Sequence, residues 1–336
     1  MNLESREQLR NCVLLSHSGA GKTTLAEAML YEKGLITRMG TVESGNTVSD
    51  YEEEEIKRGN SVQTSLLNLE WKGTKINLID TPGFADFRGE VVSGMRAADS
   101  ALMVVSGNSG VEVGTKQLWA LARSHGLPRI IFVSKMDREN TSFSRAMESI
   151  QDNFGRECVP IQIPLGSESN FSGVLNLLDP LVSVPSDYES EVAIARERLM
   201  EAAAECDDQL AEKYLEGEEL TSDELLTGLG NGVMNGDLIP VMFGSAPSGA
   251  GILEVLNGIV DFLPPPGDPS GKTGGEEEQS AYVFKTTADP FVGKLSYFRV
   301  QSGKISSDSQ VWNISANQSE RIGQVYVPQG KDQVPA

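Results

Sequence analysis

The sequence predicts an α/β protein whose first half is a doubly wound, mostly parallel sheet, and three observations carry that prediction. The apolar runs "CVLL" (12–15), "INLI" (76–79), "ALMVV" (101–105) and "RIIFV" (129–133) are continuous, as in strands buried on both faces of a parallel sheet. Stretches with helical patterning, 22–32, 90–98, 113–124 and 142–154, lie between or after them, so strand and helix alternate in the βαβ manner. A glycine-rich turn, "SHSGAGKTT" (16–24), joins the first strand to the first helix.

Each element follows in order. The first strand leads through that turn into helix 22–32. The stretch "QTSLLNLEW" (63–71) alternates only in part and follows a long charged loop, which predicts an edge strand antiparallel to the next. Strands at 76–79, 101–105 and 129–133 complete the first series. From about 161 to 236 comes an inserted α+β subdomain, opening on "VPIQIP" and "VLNLLDPLV" and continuing into one Ala/Glu/Leu-rich stretch, 191–220, strong in helix formers. "IPVMFGSA" (239–246) resumes the buried-strand pattern, and the amphipathic "GILEVLNGIVDFL" closes the first domain, which is expected to span 1–160 and 237–263. A Pro/Gly-rich linker is expected at 264–280. The β-patterned residues 281–336 are too few for an independent barrel, so a partial β-barrel is expected, with the chain stopping inside a domain as a fragment would.

Composition limits the function. With 28 Lys plus Arg against 48 Asp plus Glu, the net charge is −20. The protein as a whole is repelled by phosphate backbones, so no DNA partner is expected and RNA must be met through local patches. Three cysteines with no CxxC pair indicate neither a disulfide framework nor a zinc site. No apolar run approaches the roughly 18 residues of a membrane helix, and a cytoplasmic protein with no membrane partner is the expectation.

The chemistry lies in four loops. "SHSGAGKTT" matches the phosphate-binding loop of P-loop NTPases, except that Ser16 stands at the first glycine position. Gly19 and Gly21 let the backbone curl so that the amides of Ser18, Gly19, Ala20, Gly21, Lys22, Thr23 and Thr24 can face phosphate oxygens at a helix N-terminus. Lys22 is expected to reach the β and γ oxygens, and to face an empty, solvated loop when no nucleotide is bound. Thr23 is expected to bind Mg²⁺ through its hydroxyl. "DTPG" (80–83) supplies Asp80 for the metal, through water, and the Gly83 amide for a γ-phosphate oxygen. In "SKMD" (134–137), Asp137 can accept from the guanine N1–H and amine, a donor pair adenine lacks, while Lys135 lies along the purine. "GSA" adds Ser245 and Ala246, whose backbone could reach guanine O6. Alone, DxxG is a common turn and "KMD" a solvated one; their order behind a phosphate loop points to GTP and GDP and against an ATP-using enzyme. His17 reads as a structural loop residue, His125 as a helix-end residue with no role, and the acidic run 52–55 as part of a solvated loop.

With "RGNS" (58–61), "DTPGFADFRGEV" (80–91), "GVEVGTKQLWALA" (110–122), "PRIIFVSKMDR" (128–138), "DFLPPP" (261–266) and "DPFVGKLSYFRVQSG" (289–303), these motifs resemble the N-terminal part of bacterial elongation factor G, the ribosomal translocation GTPase, and most of all its divergent second-copy factors. The resemblance implies a P-loop NTPase G domain with an inserted subdomain, part of a β-barrel domain II, a monomer, and the ribosome, rRNA and proteins alike, as partner. It implies Ser61 on Mg²⁺, in place of the usual threonine, and catalysis through Lys22, Gly83 and the position of Phe84. Departures accompany it: Gly19 replaces a frequent Asp, Ser134 replaces Asn and is too short for the same tie to the purine, and Phe84 replaces the histidine credited with placing the attacking water. A slow or non-hydrolysing ribosome-associated regulator and a ribosomal protection protein share this architecture and remain alternatives.

Overall fold

A computed structural model describes residues 5–218, 220–267, 279–289 and 293–336. Most of the expected linker, 268–278, lies outside them.

In chain order the first 160 residues give β1 (Leu9–Leu15), α1 (Lys22–Glu32), α2 (Glu53–Arg58), β2 (Ser65–Trp71), β3 (Thr74–Asp80), α3 (Arg88–Ala97), β4 (Ser100–Ser106), α4 (Val113–Ser124), β5 (Arg129–Ser134), α5 (Phe143–Phe154) and β6 (Cys158–Pro160). There follow β7 (Gln162–Leu165) and β8 (Gly173–Asn176), which form a small hairpin, then α6 (Glu189–Ala204), α7 (Asp208–Leu215), α8 (Ser222–Asn235), β9 (Ile239–Phe243) and α9 (Ile252–Phe262).

Seven strands form one sheet in the order β2-β3-β1-β4-β5-β9-β6. All pairs are parallel except β2 with β3, so β2 is the antiparallel edge strand. Successive side chains of the central strands enter two different cores. Cys12, Leu14, Leu102, Val104, Ile130 and Phe132 meet α1, α9 and the helices of the insert. Val13, Leu15, Met103, Val105, Ile131 and Val133 meet α3, α4 and α5. That two-sided burial is why these strands read as continuous apolar runs.

One local feature differs from expectation. The stretch 191–220 is broken after α6, because the Asp207 carboxylate accepts from Gln209 N and Leu210 N and starts α7. A side-chain cap satisfies backbone donors that a continuing helix would have bonded. The insert packs onto the first domain: Leu199, Leu225, Leu229 and Val233 join the same core as α1 and α9.

Among the described residues the rest of the chain forms three antiparallel strand pairs, β10 (Ser280–Asp289) with β11 (Gly293–Ser302), β12 (Gln310–Asn313) with β13 (Gln318–Arg321), and β14 (Tyr326–Gln329) with β15 (Asp332–Pro335). The last hairpin covers the β2 edge. Gly330 N donates to Leu66 O at 2.8 Å, and Asn68 bonds the Gln329 side chain and Pro328 O, so unpaired edge groups are capped. Among the described residues no helix is long and apolar enough to cross a membrane.

Candidate functional site

The sheet order fixes where a ligand can sit. β1 is flanked by β3 on one side and β4 on the other, so the loops leaving the C-terminal ends of β1, β3, β5 and β9 open onto one crevice. The β1–β3 register sets Leu14 beside Asp80, which brings "DTPG" against the turn that begins at Ser16. Thr81 Oγ1 donates to Leu14 O at 2.7 Å and fastens the two ends.

In the turn after β1, Gly19 and Gly21 have φ of 79° and 99°, the left-handed conformation that a side chain disfavours. Lys22 lies differently from expectation. It is buried, 6% exposed, and its Nζ donates to Ser16 Oγ at 2.9 Å. Burial pushes the ammonium down to about 8, against the opposing pull of Asp80 and Asp50. The serine at the first glycine position supplies the acceptor, so the lysine is folded into the loop and not solvated. Gly83 closes over it: a Cβ there would come within 2.6 Å of Ser18 Cα and 2.9 Å of Lys22 Nζ.

Thr23, Ser61 and Asp80, drawn from three separate segments, meet. Thr23 Oγ1 donates to Asp80 Oδ2 at 2.8 Å and lies 3.2 Å from Ser61 Oγ. A fourth residue, Asp50, joins them and was not legible in the sequence. It is 4% exposed and interacts with Ser61, Asp80 and Lys22. Burial, then the Asp80 charge, pushes the Asp50 carboxyl up to about 6, and burial raises Asp80 as well. Asp50 Oδ2 and Asp80 Oδ1 are buried without a hydrogen-bond partner. Two hydroxyls and two carboxylates, each carboxylate with one orphaned oxygen, suit a small hard cation such as Mg²⁺. Among the described residues no group of three His, Cys, Asp or Glu could hold a metal by itself, so a cation here would complete its shell with water or phosphate oxygens.

The loop after β5 is tied to the phosphate turn. Lys135, at φ 61°, donates from Nζ to Gly19 O at 2.6 Å, and Ser134 Oγ donates to Ala20 O at 2.6 Å. The serine thus links strand end to turn. Met136 N donates to Gly244 O, which binds this loop to the one after β9. Gly244 is required there, since a Cβ would lie 2.4 Å from Ala250 O. Ser245 N is taken by Ala250 O, whereas among the described residues Ala246 N has no acceptor and is open to a ligand. Asp137 is half-buried, its Oδ2 3.9 Å from Arg138 Nε.

Phe84 is 43% exposed and precedes a short helical turn, Ala85–Phe87. Its ring is not sealed into an apolar pocket. His17 is a loop residue: its amide donates to Thr115 Oγ1, and Nε2 lies 3.7 Å from Glu112. His125 caps α4, with Nδ1 2.9 Å from Leu121 O. The acidic run 52–55 divides. Glu53 and Glu54 are exposed beside Lys57 and Arg58, but Glu55 is 2% exposed. Its carboxylate accepts from Glu52 N at the start of α2 and from Val62 N and Gln63 N beyond its end, so it supplies an acceptor to three backbone donors. A cavity of about 620 Å³ lined by Arg10, Asp261 and the 262–267 turn lies at the opposite end of β1 from the phosphate turn and contributes nothing here.

Residues 7–265 match the family of the elongation factor Tu GTP binding domain, and residues 278–336 match elongation factor G domain 2. A protein of Thermus thermophilus, solved as a crystal structure, is similar with a TM-score of 0.89 and 33% sequence identity over 98% of this chain. This chain covers 50% of that one.

Proposed function

This chain belongs to the elongation factor G-like translational GTPases, and from that premise we propose that it binds GTP or GDP with Mg²⁺ and acts on the ribosome in translocation or a related step. The observation that carries the reading is the meeting of Thr23, Ser61 and Asp80, beside the buried Lys22 and two orphaned carboxylate oxygens. Thr23 and Ser61 would hold Mg²⁺ directly, with Asp80 and Asp50 around it. Bound there, Mg²⁺ would offset charge on the β- and γ-phosphate oxygens. Lys22 would exchange Ser16 Oγ for phosphate, the Gly83 amide would bond the γ-phosphate, and Asp137 and Ala246 would read guanine. Loss of the γ-phosphate would release the segments around Ser61 and Gly83.

Competition against a fluorescent guanine nucleotide tests the base assignment. Asp137→Asn should weaken GTP by about 3 kcal/mol, the scale of a lost charged acceptor, and improve xanthosine nucleotides relative to GTP. ATP competing as well as GTP on the wild type would overturn it.

Phe84 supports a second reading, a factor that binds GTP and hydrolyses it slowly on the ribosome. A phenyl ring, 43% exposed at that position, has neither donor nor acceptor for water.

A further inference from the structure

We infer that Glu27 is a positioning residue: its buried carboxylate clamps the loop 40–48 onto the helix that carries Thr23, and so delivers Asp50 and Ser61 to the cation position. The inference rests on the nucleotide–Mg²⁺ reading above and names the group that sets the loop for it.

Glu27 lies in α1, four residues after Thr23 and hence on the same helix face. It is 1% exposed, and among the described residues no cation pairs with it. Its two oxygens instead accept from two backbone amides at opposite ends of one loop, Oε2 from Gly40 N at 3.0 Å and Oε1 from Val48 N at 2.5 Å. A buried carboxylate is tolerated where backbone N–H groups replace water. Glutamine, of equal size, could not do this, since its NH₂ would face one of the amides and leave that donor unmet.

The loop is built for the clamp. Gly40 lies so close to Asn46 that a Cβ would stand 2.3 Å from Asn46 O, and the Asn46 side chain accepts from Thr41 N. From Val48 the chain needs two residues to reach Asp50, whose amide bonds Thr47 Oγ1, while Ser65 Oγ donates to Ser49 O. Glu55 does the matching task on the far side, accepting from the two amides that follow Ser61. Asp50 and Ser61 are thus each within two residues of a carboxylate clamp, and the Glu27 clamp is rooted in the nucleotide-binding helix itself.

The test measures how Mg²⁺ changes GTP and GDP affinity, by displacement of a fluorescent guanine nucleotide, in the wild-type chain, E27Q and G40A, with trypsin cleavage after the exposed Arg38 and Arg58 as a nucleotide-free readout. The wild type should gain more GTP than GDP affinity from Mg²⁺. Both variants should lose about tenfold of that gain, keep their Mg²⁺-free affinity within about twofold, and be cut faster, as expected when charged hydrogen bonds are lost. Should E27Q fail to fold, G40A decides, because it disturbs the same contact and leaves the carboxylate in place. A wild type indifferent to Mg²⁺ would overturn the nucleotide-site reading. A wild type that responds, with variants that respond equally or weaken all ligands alike, would overturn the role of Glu27 alone.

Discussion

Asp50 is 4% exposed, with one carboxylate oxygen unpartnered beside the buried Asp80. Its carboxyl titrates near 6 when folded and near 3.8 when free. The folded value is raised, so the stability this group contributes is present below about pH 4 and lost as pH rises through about 6. Above that, the nucleotide-free chain holds two buried carboxylates in repulsion. Asp50→Asn should therefore raise nucleotide-free stability at pH 7 by about 1–3 kcal/mol, measured by urea unfolding. The gap to wild type should open between pH 4 and pH 6, while Mg²⁺-dependent GTP affinity falls. A less stable variant at pH 7 would show that Asp50 is already satisfied without ligand. Phe84 makes the opposite case, since its 43% exposure leaves little packing to lose. Phe84→His should change stability by less than about 0.5 kcal/mol and leave GTP affinity intact. In the presence of ribosomes it should raise kcat by about 10²-fold, the contribution of a positioned proton-handling group. A variant no faster than a wild type that is already fast would mean that other groups place the water. Phe84 could be flagged from "DTPGF" alone, because a motif fixes its address. Asp50 could not: the segment 40–52 has no periodicity, and its burial is created by Glu27 and Glu55, far off in sequence or hidden in an acidic run.

Helix α8 shows what element-level reading reaches and where it stops. Gly228 and Gly232 stand four apart on the face toward α6. A Cβ at Gly228 would lie 2.7 Å from Ala203 O, and one at Gly232 2.6 Å from Cys206 Sγ. Gly230, between them, has nothing within 4 Å and no left-handed backbone. Gly228→Ala should destabilise by about 1–3 kcal/mol, as overpacking against backbone does. Gly230→Ala should stabilise by about 0.5–1 kcal/mol through helix propensity. Thermal unfolding of both variants checks the pair, and equal effects would mean α8 does not approach α6 so closely. The alternation that gives glycine two meanings within three residues depends on the partner helix, which one chain segment does not reveal. The same holds for 191–220, where helix formers continue through the break and only the cap at Asp207 divides them. By contrast α1 and α4 occupy the residues their patterns predict, 22–32 and 113–124, since the preceding strand end and glycine-containing turn agree with a run of helix formers in each, and in α4 with an apolar face as well.

At the scale of the molecule, the first hairpin of the β-rich segment grips the start of β2 and helix α3, the elements that follow the two loops the nucleotide would order. Lys285, its side chain 7% exposed, donates from Nζ to Thr64 O at 2.5 Å, three residues beyond Ser61. It lies 3.8 Å from Glu90 of α3, and Glu90 in turn accepts from Thr64 N at 2.9 Å. Burial lowers the lysine's pKa, while Glu90, Glu55 and Glu52 oppose that fall, so the ammonium is held in an acidic nest. Arg299 on β11 donates to Ala97 O and Ala98 O at the end of α3 and pairs with Asp99. Those carbonyls are the ones a helix C-terminus leaves unmet, and a guanidinium there also suits the dipole. In a chain of net charge −20, two basic side chains are thus used to join the segments after Ser61 and Gly83 to the second fold. Sequence pattern predicted β structure in this segment, but a lysine in an alternating strand reads as solvent-facing until α3 is seen to lie over it. Lys285→Met keeps the apolar stem and removes the charge; Arg299→Met does the same at the helix end. Together they should split one cooperative thermal transition into two, because the interface lost is small and polar relative to either core. Guanine nucleotide affinity should stay within about threefold, less than one charged hydrogen bond would cost, since neither side chain touches the crevice. A double variant that still melts in one step would show that the β14–β15 turn on the β2 edge suffices to hold the two folds together.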